Sequence, residues 1–126
     1  MVMKNRWQSI KYALQGLSDA LRTQPNLRIH LMIALVVVLV GCSLSLTRLE
    51  WIAVVLTIAL VLSAELLNTA IEYLTNLVSP EYHPLAGKTK DAAAAAVLIT
   101  AIAAVVVGLL IFLPKLWLLL SQIRLH

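Results

Sequence analysis

The spacing of apolar positions along this chain changes once, and that change divides it into a surface segment and a membrane segment. Trp7, Ile10, Leu14, Leu17 and Leu21 recur at three- and four-residue intervals, while Lys4, Lys11, Gln15, Ser18 and Arg22 mostly fall elsewhere around a helix. This predicts an amphipathic helix over about 4–22, with basic residues and a Trp suited to the headgroup region. The same face could pack on a helical bundle, and the two placements are compatible. Pro25 interrupts the pattern, so Thr23-Gln24-Pro25-Asn26 predicts a turn with Asn26 as helix N-cap. Beyond it the apolar residues become nearly continuous. Runs over about 27–46, 49–78 and 92–113 are each long enough to cross a hydrocarbon core of about 30 Å at 1.5 Å per residue. Thr47-Arg48-Leu49-Glu50 has room only for a turn between antiparallel helices. Residues 79–90 carry Pro80, Pro84 and Gly87 and predict a polar loop. Asp91 is the predicted N-cap of the last span, which opens on five alanines and ends near Leu113-Pro114. Those alanines allow close helix approach. Lys115-Leu116-Trp117 then predicts an interfacial anchor.

Composition agrees with this division. Of 126 residues, 61% are hydrophobic and 13% charged, which is the balance of a membrane protein rather than a soluble domain. The expectation is one all-α membrane-embedded domain over 1–126, a surface helix followed by three transmembrane helices. Cys42 is the single cysteine, so an intrachain disulfide and the usual zinc patterns are excluded. The first long apolar run starts near residue 29 and ends without a small-residue cleavage site, unlike a secretory signal. The net charge of +4 is informative through its placement. Lys4, Arg6, Lys11, Arg22 and Arg28 precede the first span and Lys88 and Lys90 precede the last, whereas Arg48, Lys115 and Arg124 fall on the other side. The positive-inside bias therefore predicts a cytoplasmic N-terminus. It also favours an anionic membrane surface, and no nucleic acid, as partner.

Against that apolar background one stripe stands out. Glu65, Asn68, Glu72 and Asn76 fall within a narrow arc of one helix face, where the second span leaves the membrane. Polar and ionisable groups are costly at this depth. A single glutamate could simply pair with a neighbouring Lys or Arg. Two glutamates seven residues apart with an amide between them are harder to explain that way. Carboxylate and amide oxygens are the hard ligands that Mg²⁺ uses when it also holds phosphates, and a carboxylate at lipid depth can accept a proton from a lipid hydroxyl. Gly87-Lys88-Thr89 ends like a phosphate-binding loop, but Tyr82 stands where that motif needs its first glycine and no strand precedes it. Lys88 and Lys90 can still neutralise phosphate charge, or serve only as positive-inside residues. His83 has no partner at metal spacing, and Ser79 with His83 lacks a third member for a hydrolytic triad.

The stretch Glu65-Leu-Leu-Asn68-Thr69-Ala70-Ile71-Glu72, followed by Ser79-Pro-Glu81-Tyr82-His83-Pro-Leu-Ala and Lys90-Asp91, resembles the prokaryotic diacylglycerol kinase family, which includes undecaprenol kinases. Asn26-Leu27-Arg28-Ile29-His30 looks closer to the undecaprenol kinase branch. The resemblance implies a small integral-membrane lipid kinase, a homotrimer with active sites shared between subunits. It implies transfer of the γ-phosphoryl of Mg-ATP to a lipid alcohol, diacylglycerol or undecaprenol. It matches Glu65 to the catalytic base, Asn68 to an active-site amide at the lipid substrate, and Glu72 to a metal and nucleotide ligand. Tyr12, Glu81, Tyr82, His83, Lys90 and Asp91 match nucleotide-contacting positions. Two residues depart from the family pattern: Asn76 stands where Asp is usual, and Gln24 where many members have a metal-ligating Glu. Each keeps a coordinating oxygen and loses a charge. The competing expectation is an inactive member, or a non-enzymatic membrane anchor or assembly subunit whose polar stripe packs against partners.

Overall fold

Four helices make up the described part of the computed structural model, residues 5–123: α1 Arg6–Thr23, α2 Pro25–Ser43, α3 Arg48–Val78 and α4 Pro84–Ile123. α2, α3 and α4 are each long and apolar enough to cross a membrane. The all-α reading with a surface helix and three spans holds. Lys4, the first residue of the expected surface helix, and Arg124 lie outside the described residues.

The boundaries differ from expectation in instructive ways. α1 and α2 are separated only by Gln24, and the predicted four-residue turn is absent. Pro25 takes the first helical position, where its fixed φ suits the helix and its missing N–H costs nothing. Asn26 is therefore already helical and caps nothing. α2 stops at Ser43 rather than residue 46, because Ser45 turns the backbone into the left-handed region at φ 50°. Thr47 then caps α3. Its hydroxyl accepts from Glu50 N–H at 3.3 Å, and Glu50 accepts from Thr47 N–H at 2.7 Å, a reciprocal capping box.

The largest correction concerns the last span. The polar loop shrinks to about five residues, since α4 starts at Pro84 with Asp91 well inside it. The cap is His83, not Asp91. His83 Nδ1 accepts the backbone N–H of Leu85 at 3.2 Å, and its carbonyl accepts from Gly87 N–H at 3.1 Å. At the other end α4 runs through Pro114 to Ile123 instead of stopping. Proline removes one intrahelical bond, and the helix on either side of it keeps the rest.

α3 packs mainly along α4, and α2 lies against α3. The buried apolar residues of the bundle are small or medium: Leu27, Ala34, Val54, Val61 and Ala93, with Ala20 from α1. Most larger apolar side chains face outward, as lipid contact requires. An apolar cavity of about 440 Å³ between α2, α3 and α4 is walled by Ala34, Val54, Val61 and Ala104, with His30 among its few polar groups. The His30 side chain thus faces the space between the helices. Cys42 is exposed on α2.

Gly41 shows how the α2–α3 corner closes. A Cβ there would lie 3.0 Å from Trp51 Cη2 and 3.3 Å from Leu46 Cδ2. Gly41→Ala is expected to destabilise the protein by about 1–3 kcal/mol through overpacking, read as a lower thermal midpoint in detergent. Gly16→Ala, where a Cβ meets nothing within 4 Å, should show no such loss.

Candidate functional site

The polar stripe survives as a structural feature of α3, and its inner half is buried. Glu65 is 2% exposed, Thr69 4% and Asn68 8%. The apolar flanks on α3 bring this face against the bundle, and Thr69 ties itself to the stripe by donating to the Glu65 carbonyl at 3.0 Å. Glu72 is half-buried one helical turn beyond Asn68, and Asn76 is exposed one turn further. The two glutamates are about 10 Å apart along the helix axis at 1.5 Å per residue. A deep carboxylate and a shallow one therefore share a face.

Asn68 links them. Its Nδ2 donates to Glu72 Oε1 at 3.2 Å. Because a carboxylate can only accept, the amide's orientation is determined, and its oxygen points the other way. That oxygen, Oδ1, is buried and has no hydrogen-bond partner. A buried acceptor left unpaired is destabilising and calls for a donor or a cation. The Glu72 carboxylate is a hard donor of the kind Mg²⁺ prefers, whereas the Asn68 oxygen faces away from it. Among the described residues no three His, Cys, Asp or Glu side chains converge as a complete metal cage. Mg²⁺ does not need one where phosphates and waters complete its shell, so the Glu72 carboxylate fits the ion.

On the α4 side of the short turn, Lys90 is held by the stripe itself. Its Nζ donates to Asn76 Oδ1 at 2.6 Å. Asn76, the irregular member of the motif, thus fixes a cation next to the shallow end of the stripe without neutralising it. Asp91 beside it is exposed, as are Glu81 and His83, and Tyr82 is 91% exposed. Ser79 Oγ donates to the Glu81 carbonyl at 3.0 Å, which shapes the turn. His83, with Nδ1 occupied as an acceptor, carries its proton on Nε2 when neutral. The turn between α3 and α4 thus carries Glu81, Tyr82 and His83, and the first two turns of α4 carry Lys90 and Asp91, at the same end of the bundle as Asn76. Gln24 sits at the α1–α2 junction, and its backbone N–H caps α1 through the Ala20 carbonyl at 2.8 Å.

α1 meets this end of α3 through a cluster that sequence spacing alone did not single out. Tyr73 Oη donates to Asp19 Oδ2 at 3.3 Å and lies 2.8 Å from Thr23 Oγ1, which donates to the Asp19 carbonyl at 2.9 Å. The hint in the sequence was an acidic residue in an otherwise basic surface helix. Ala20 is the one α1 residue that is buried, so these hydrogen bonds carry much of its specific attachment. Tyr12, two turns before Asp19, projects from the same α1 face. Tyr73→Phe removes the hydroxyl and keeps the ring. It is expected to raise amide hydrogen exchange across α1 about fivefold, the equivalent of about 1 kcal/mol for a lost hydrogen bond, with exchange in the middle of α3 unchanged.

Glu72 and the Lys90 ammonium thus lie toward the exposed end of a stripe whose buried end is Glu65. The chain has recognisable relatives. A family model described as prokaryotic diacylglycerol kinase matches residues 11–112. An undecaprenol kinase of Bacillus subtilis is 42% identical over 110 residues, which cover 87% of this chain and 89% of that protein. A diacylglycerol kinase of a Synechocystis species is 44% identical over 121 residues, covering 90% and 69% respectively. A diacylglycerol kinase of Escherichia coli K12 is 34% identical over 95 residues, covering 75% and 78%.

Proposed function

Because this chain belongs to the prokaryotic diacylglycerol kinase family, we propose that it phosphorylates a membrane lipid alcohol with ATP at the cytoplasmic face of a bacterial plasma membrane. The observation that carries the reading is the pairing on one helix face of a buried Glu65 with the Asn68–Glu72 unit, whose amide oxygen lacks a partner. The acceptor is diacylglycerol or undecaprenol, the alcohols named by the relatives. The lipid's hydrocarbon rests on the apolar outer faces of the helices, which hold an acyl or a prenyl chain equally well.

In this mechanism Glu65 accepts the proton of the lipid hydroxyl as the lipid oxygen bonds to the γ-phosphorus. The bond between that phosphorus and the bridging oxygen to the β-phosphorus breaks, and ADP leaves. Burial serves Glu65 by excluding water as a competing acceptor. Glu72 would hold Mg²⁺ with the nucleotide phosphates, and the ion, when bound, would supply charge neutralisation at the phosphoryl group. Lys90, steadied by Asn76, adds a positive charge on the same side. Tyr12, Glu81, Tyr82, His83 and Asp91 surround the nucleotide, and the Asp19–Thr23–Tyr73 cluster keeps α1 within reach of it. Phosphoryl transfer asks mainly for positioning and charge neutralisation, which so small a set can supply. The working unit is a homotrimer, a part of the reading that rests on the family.

The placement of Lys and Arg supports a cytoplasmic N-terminus, which puts the stripe on the side where ATP is abundant. The test is ADP release in liposomes containing either alcohol or its O-methyl ether. Release should follow the free alcohol. Equal release with the ether, which has no proton for Glu65 and no free oxygen nucleophile, would overturn the reading.

A further inference from the structure

The last part of α4, residues 114–123, lies beyond the matched family region, which ends at residue 112. Its depth is set by an ion pair. Lys115 Nζ lies 3.1 Å from Glu50 Oε2, and Glu50 belongs to the capping box in the first turn of α3. Residue 115 is therefore level with the end of the bundle opposite the polar stripe. From Lys90, at the other end, to Trp117 a helix rises about 40 Å at 1.5 Å per residue, the full thickness of a bilayer with its headgroups. A straight continuation to Ile123 would add about 9 Å more, carrying apolar side chains through the headgroups into water.

The sequence of this stretch does not suit water. Leu116, Leu119, Leu120 and Ile123 share an arc of about 100° on one helix face, Trp117 flanks it, and all of them are exposed. Lys115, Ser121 and Gln122 lie outside that arc, with Leu118 the one apolar residue among them. This is the pattern of a helix lying in the interface plane. Pro114 stands at the boundary, inside α4. It has no N–H for the Leu110 carbonyl, which makes it the natural bending point.

We propose that residues 114–123 form an interfacial foot that bends at Pro114 and lies along the membrane surface opposite the stripe. Its occupant is the lipid headgroup layer, continuous with the lipid that covers the outer face of α4. The Glu50–Lys115 pair fixes the point where the foot leaves the bundle. On the functional reading above, the foot also sets the depth of Lys90 at the far end of the same helix, but the foot itself does not depend on that reading.

A nitroxide scan of positions 116–123, on a Cys42→Ala background in liposomes, tests this. Accessibility to oxygen and to a water-soluble nickel chelate is measured at each position. The proposal predicts oscillation with the helical period about a constant interfacial depth, with Leu116, Leu119, Leu120 and Ile123 on the oxygen-rich side and Ser121 and Gln122 on the nickel-accessible side. A steady rise in nickel accessibility toward residue 123 would overturn it, as would shielding from both reagents, which would mean a protein partner. Pro114→Ala should convert the oscillation into the steady rise. An unchanged profile in that variant would overturn the role given to Pro114.

Discussion

Glu65→Gln is expected to lower turnover by about 10²–10⁴-fold, the usual range for loss of a general base, while Mg-ATP binding stays within about twofold of the parent. The substitution is nearly isosteric at a position that is 2% exposed, so the packing of α3 should persist. What is lost is an acceptor for the lipid proton at the depth where the hydroxyl enters. Nucleotide binding should be spared because Glu65 lies about 10 Å along α3 from Glu72. Turnover of both alcohols and equilibrium binding of Mg-ATP, measured on one preparation, check this. Equal loss of binding would place Glu65 in the nucleotide site and contradict its role as base.

Glu72→Gln should do the reverse. A glutamine oxygen can still accept from Asn68 Nδ2, as Glu72 Oε1 does at 3.2 Å, so the local geometry is retained and the charge is removed. A hydrogen bond or ligand contact to a charged group contributes about 1.5–3 kcal/mol, so Mg-ATP affinity should fall about 10–100-fold. Titration of nucleotide with Mg²⁺ present and absent separates the effects. The variant should lose most of the Mg²⁺-dependent part of the affinity and little of the rest. Loss that is the same with and without Mg²⁺ would mean that Glu72 touches the nucleotide and not the ion.

The stripe that carries these two residues is legible in the sequence itself. Polar side chains are so costly on a spanning helix that Glu65, Asn68 and Glu72 stood out from their neighbours by composition alone, and helical periodicity put them on one face. The three spans were legible for the same reason, since long apolar runs leave lipid few alternatives. Less legible were features that depend on contacts across the chain. Asp91 looked like a cap because a carboxylate before an alanine run is a strong local signal, yet His83 and Pro84 start α4 earlier. Pro114 reads as a stop because proline commonly ends helices, whereas here one lost hydrogen bond is tolerated and α4 continues to Ile123. Tyr73 and Asp19 are about fifty residues apart in sequence, and nothing local pairs them. Asn76 began as an irregularity in an acidic pattern and emerges as the residue that holds Lys90.

These contacts connect the parts of the account. Gly41 lets α2 close on Trp51, and α3 carries both carboxylates from the bundle interior to its surface. The short turn returns the chain at once into α4, so Lys90 arrives beside Asn76. α1 is tied to the same level by Tyr73. On the proposed function, a phosphoryl donor outside the lipid and an alcohol inside it would meet along the face of α3 that carries both carboxylates.

The most direct test is transfer of label from γ-³²P-ATP by the purified chain in liposomes with Mg²⁺ and either diacylglycerol or undecaprenol. The account predicts label in an organic-extractable lipid monophosphate for at least one alcohol, and none with Glu65→Gln. Absence of labelled lipid with both alcohols, from protein that is helical and binds Mg-ATP, would contradict it.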